Sequence, residues 1–91
     1  MKKFQILKTN GDKLVQSFNE NLSLDDLQKI VGGYIEFLPL KDNKFMIVNE
    51  DGKCFNLPIN IQATFVAKNS NISVNDFIVG DVIVINREYI N

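Results

Sequence analysis

The side chains of this 91-residue chain that could do chemistry are few, and their types suit recognition better than turnover. Histidine is absent, which removes Ser-His-Asp and Cys-His catalysis, histidine metal sites and ordinary pH switching near neutrality. Tyr34 and Glu36 alternate away from Ile35 and Phe37, so in a strand they project together from one sheet face. With Asn60 and Thr64 from the start of a short helix they would line a polar groove. A tyrosine ring there can stack on a planar ligand while the polar groups bond its edges. Arg87 is the single arginine beside nine lysines; one bidentate clamp per subunit argues against tight phosphate capture unless several subunits converge. Tyr34, Glu36, Asn60, Thr64 and Arg87 are therefore the candidate ligand-binding residues, against the blander reading of a solvated sheet face and an ordinary helix cap. No catalytic residue, metal ligand or cofactor is assigned.

Other arrangements carry less. Asp25 and Asp26 sit where a helix begins, and negative charge is favourable there for capping and dipole reasons. Glu50 and Asp51 read as solvated turn residues, because acid-base pairs need carboxylates in different environments across a cleft. Glu36, Asp76 and Asp81 could be assembled into a Mg²⁺ or Ca²⁺ site, but their spacing matches no known carboxylate loop. Gly32-Gly33 is in the wrong order for a phosphate loop: it leaves a helix C-terminus, whose dipole repels anions. Cys54 lies among Phe55 and Leu57 and reads as a small core or edge residue of a strand.

The elements that must position these groups are most clearly written between Leu22 and Leu38. Ser23 can cap a helix with Asp26 returning the bond, Leu22 and Leu27 can staple it, and Leu24, Leu27, Ile30 and Val31 form its apolar stripe. Gly32 supplies the left-handed stop, and Tyr34 to Leu38 alternates as a strand. Before this, Lys2 to Thr9 and Lys13 to Phe18 form a hairpin around Asn10-Gly11-Asp12, with Phe4 and Ile6 on one face. After it, Pro39 is expected to end pairing, Lys41 to Lys44 to turn, and Phe45 to Val48 to form a central strand. Glu50 to Lys53 carries an Asp-Gly hairpin signal, which makes Cys54 to Leu57 a partner strand. Asn60 caps a short helix from Ile61 to about Ala67, expected to bury Ile61 and Phe65. Lys68 to Asn75 is a polar loop, and Gly80 turns the chain into the buried strand Val82 to Ile85. The fold class is α+β: one domain over residues 1–91, a curved, mainly antiparallel sheet of five or six strands, partly open and barrel-like, with one capped helix and one short helix.

Ten basic and eleven acidic residues leave a net charge of −1, which announces neither a nucleic-acid surface nor an acidic mimic of one. One cysteine permits no intramolecular disulfide and fits a reducing compartment. With no signal core in the first twenty residues and no membrane-length apolar run, the chain is expected in the cytoplasm. The first hairpin could offer a sheet edge to a second copy, with Lys2, Lys3 and Lys13 there to discourage it.

Taken together, Leu27 to Glu36 (LQKIVGGYIE), Asn49 to Lys53 (NEDGK), Leu57-Pro58-Ile59-Asn60 leading to Ala63-Thr64, and Gly80-Asp81-Val82 resemble a family of small domains of unknown function found in phages, plasmids and other bacterial mobile elements. The resemblance covers most of the chain from residue 22 onward. It implies a phage or mobile-element protein acting in a bacterial host cytoplasm, and it carries no established activity. The expected function is non-enzymatic binding of a host protein that interferes with a host system such as defence. The alternative is a small-ligand binder that sequesters a nucleotide signal, and a carboxylate-dependent metal hydrolase ranks last.

Overall fold

The computed structural model describes residues 2–19, 22–70 and 77–90. Strands β1 (Lys2–Leu7) and β2 (Lys13–Phe18) form the opening hairpin. At its turn Asn10 Oδ1 accepts from the Asp12 amide at 2.9 Å, an Asx turn of the kind asparagine favours. Helix α1 (Leu24–Val31) begins at Ser23, whose Oγ accepts from the Asp26 amide at 3.0 Å, and Asp25 pairs with Lys29 one turn on at 3.3 Å. Strands β3 (Ile35–Leu40) and β4 (Lys44–Asn49) form a second hairpin, followed by a run of turns, helix α2 (Ile61–Asn69) and strand β5 (Val82–Asn86). A 3-10 turn, Arg87–Tyr89, comes after β5.

The five strands form one antiparallel sheet in the order β2-β1-β5-β4-β3. β5 thus enters between the two hairpins and joins them. Its apolar run has two faces to bury, as a strand in the middle of a covered sheet requires. Val82 and Val84 face Leu7, Met46, Val48, Ala63 and Ala67 under α2; Ile83 and Ile85 face Phe4, Ile6, Leu27, Val31 and Ile47 under α1. The sheet stays open, with β2 and β3 as its edges. Among the described residues no helix is long and apolar enough to cross a membrane.

Several expectations fail at identifiable points. Pro39 does not end pairing: it stays in register opposite Phe45, and an edge strand tolerates a proline whose missing N–H faces outward. Cys54 to Leu57 is not a strand. The side of β4 expected to receive it is taken by β5, and residues 51–57 instead form turns closed by local bonds, with Phe55 N donating to Asp51 O (3.1 Å) and Leu57 N to Gly52 O (3.0 Å). Cys54 is accordingly exposed. Leu24 is 59% exposed, because the buried side of α1 is carried by Leu27 and Val31. Ile61 and Phe65 are 77% and 68% exposed, so α2 is rotated from the expected phase. Asp76 and most of the polar loop after Ser70 lie outside the described residues.

Candidate functional site

The glycine pair after α1 builds a corner at which three segments meet. Gly32 takes φ +84°, and the amides of Gly32 and Gly33 both donate to the Gln28 carbonyl, at 2.8 and 3.1 Å. A Cβ on Gly33 would lie 3.0 Å from Asn49 Nδ2, so close packing against that amide, and not backbone conformation, selects glycine there. Asn49 is itself buried and bonded on both sides: Nδ2 donates to the Val31 carbonyl (3.1 Å), and Oδ1 accepts from the Asp51 amide (2.8 Å). The Glu50 amide donates to the Tyr34 carbonyl at 2.8 Å. The end of α1, the start of β3 and the turn after β4 are thereby tied into one rigid unit.

On the outer side of this unit two aromatic rings stand in solvent. Tyr34 is 69% exposed and Phe55 65%. With Gln28, Gly32, Gly33 and Asp51 they line an open depression of about 270 Å³. The charge on its lining has one sign. The depression lies at the C-terminal, negative end of the α1 dipole, Asp51 adds a carboxylate, and no cationic side chain lines it among the described residues. The arrangement can stack a planar group, accept hydrogen bonds and stabilise positive charge.

Tyr34 is therefore the one predicted site residue placed at this depression. Glu36 is exposed on β3, opposite Val48 in the register. The groove expected from Tyr34, Glu36, Asn60 and Thr64 does not form, because Asn60 and Thr64 are buried and their polar atoms already have partners. Asn60 Nδ2 donates to the Leu7 and Gly80 carbonyls, both at 2.8 Å, and Oδ1 accepts from the Ala63 amide at 3.1 Å. Thr64 Oγ1 donates to the Asn60 carbonyl (2.8 Å) and accepts from the Ile78 amide (2.9 Å). Arg87 is likewise occupied: it stacks over the Phe45 ring at 4.9 Å, with Nε donating to the Lys44 carbonyl and Nη2 to that of Leu40. These three side chains hold the fold together. Asp81, considered for a cation site, accepts from the Thr9 amide at 3.0 Å and pairs with Lys8 at 3.5 Å.

Sequence reasoning missed Gln28, Asp51 and Phe55 at the depression and Asn49 behind it. Asn49 was legible: asparagine followed by Glu-Asp-Gly is an Asx-turn signal, and its amide then has a second hand free for the helix end. Phe55 was not, because its exposure follows from the failure of the strand assigned to it.

A family model described as Domain of unknown function (DUF3846) matches residues 1–89. No curated protein and no solved structure matches the chain.

Proposed function

We propose that this chain, which belongs to the DUF3846 family of domains of unknown function, is a non-enzymatic binding protein of a phage or mobile element that acts in the bacterial cytoplasm by engaging a host protein, a defence component being the target class in view. The observation that supports this is the pair Tyr34 and Phe55. Both rings stand in solvent on a backbone unit rigidified by Asn49, and neither belongs to either hydrophobic cluster of the fold. Large aromatics held rigidly at the surface are typical anchors of protein interfaces, because they bring contact area at small entropic cost. A nucleotide would find the same rings useful for its base, but its phosphates would meet the helix C-terminus and Asp51, with no cation among the described residues that line the depression. A protein partner is the better fit on that ground.

The test is affinity capture from a bacterial lysate with the wild-type chain and the double variant Tyr34→Ala, Phe55→Ala. The variant is expected to unfold within about 0.5 kcal/mol of wild type, since both side chains are exposed, and to lose a partner that the wild type retains. In parallel, a nucleotide panel is expected to leave the melting temperature unchanged. A nucleotide-dependent rise in Tm that the double variant abolishes would overturn the reading in favour of a small ligand.

A further inference from the structure

The chemistry of the corner is selective for charge as well as for shape. Three features of different origin converge on one depression: the negative end of α1, the Asp51 carboxylate, and the exposed rings of Tyr34 and Phe55. Among the described residues the Asp51 side chain makes no ion pair, while its backbone amide is fixed by Asn49. A helix C-terminus, a carboxylate and the faces of aromatic rings each attract a cation. An ammonium group can also sit over a ring, as Lys2 does over Tyr89 at 5.6 Å, but it is compact and strongly hydrated and presents no plane to stack. A guanidinium is flat, weakly hydrated and able to stack on a ring while its fork of N–H groups meets oxygen acceptors in its plane. The fold contains an internal example of this combination: Arg87 lies over Phe45 and donates to two backbone carbonyls.

We infer that the Tyr34-Phe55-Asp51 corner takes the guanidinium of an arginine presented by the partner protein, an inference that rests on the protein-binding reading above. The arginine stacks on the exposed rings and donates to the Asp51 carboxylate, with the Gln28 side chain lining the same space as a further acceptor.

The experiment is a titration of the ¹⁵N-labelled chain with a capped peptide of alternating glycine and arginine, against versions carrying citrulline or lysine instead. Citrulline keeps the planar shape and loses the charge; lysine keeps the charge and loses the plane. The arginine peptide is expected to shift the amides of Gln28, Gly32, Gly33, Tyr34, Asp51 and Phe55. Half-saturation should come at a concentration about tenfold lower than for citrulline, the scale that a stacked and ion-paired cation supports at a half-open site, with lysine between them. Asp51→Asn, which removes no hydrogen bond or ion pair of that side chain among the described residues, should weaken the arginine peptide by a similar factor and leave the citrulline peptide unaffected. Equal response to arginine and citrulline, or shifts that map away from these six amides, would overturn the inference. So would guanosine monophosphate shifting the same amides while the arginine peptide does not. If Tyr34- and Phe55-dependent capture of a host protein persists while the arginine peptide has no effect, the guanidinium assignment fails and the protein-binding reading stands. If the peptide binds as expected but capture is insensitive to the double variant, the guanidinium preference stands and the corner is not where the partner docks.

Discussion

Asn60 is fully buried, and its side chain uses its hydrogen-bonding groups inside the protein: two N–H groups on the carbonyls of Leu7 and Gly80, and its oxygen on the Ala63 amide. These partners belong to the end of β1, the turn before β5 and the first turn of α2, so one amide group fixes three elements at once. Alanine in its place would take a partner from three backbone groups where water cannot reach them. Asn60→Ala is expected to cost about 3 kcal/mol, more than a solvent-exposed cap, read as a lowered urea midpoint at unchanged m-value. Asn60→Asp should not rescue it, since a carboxylate can accept from Ala63 and cannot donate to two carbonyls. Tyr34 is the opposite case at the same scale: its exposed ring packs in neither hydrophobic cluster, so its substitution should show in binding and not in stability.

At the scale of elements, the phase of α2 follows from that same asparagine. Once the Asn60 side chain points into the sheet, the residues three, four and seven positions on must share its side, and Ala63, Thr64 and Ala67 are the buried residues of the helix. Two alanines allow the backbone to approach the sheet closely, and Ile61 and Phe65 are left facing solvent. Hydrophobicity alone favours the reverse, which is why the sequence reading buried the larger side chains. Phe65→Ser is therefore expected to change stability by no more than about 0.5 kcal/mol, whereas Ala67→Leu should lose about 1 to 3 kcal/mol by overpacking against Val82 and its neighbours, both measured by thermal or urea denaturation. Helix α1 obeyed its sequence more closely because its cap, staple and glycine stop all act locally.

At the scale of the whole molecule, stability is concentrated in β5. The strands of the two hairpins do not pair with each other; β5 pairs with β1 on one side and β4 on the other, and it contributes to the cores on both faces. Ile83 is fully buried at this junction, so Ile83→Ala should cost about 2 to 5 kcal/mol. Val15, 60% exposed on the edge strand β2, should tolerate alanine within about 0.5 kcal/mol. Because the hairpins share one strand, unfolding followed by circular dichroism and by tyrosine fluorescence should give coincident transitions; separate midpoints would mean that the two hairpins melt apart.

What could be read from the residues alone was whatever short-range chemistry decides: the Ser23 cap, the Gly32 stop, the Asn10 turn, the Asn60 cap, and the four-residue apolar run of β5 that needs two covered faces. From these come the α+β class and the position of Tyr34 beside the diglycine corner. Tertiary structure alone decided which strand lies beside β4, which side of α2 faces inward, and which polar residues are left for a partner. Each of those depends on competition among distant segments for the same edge or face, as when β5 took the side of β4 that Cys54 to Leu57 was expected to fill and so put Phe55 in solvent. A residue's own neighbours in sequence carry no record of that competition, because its outcome is set by the core volume and hydrogen-bond partners that segments tens of residues away bring to the sheet.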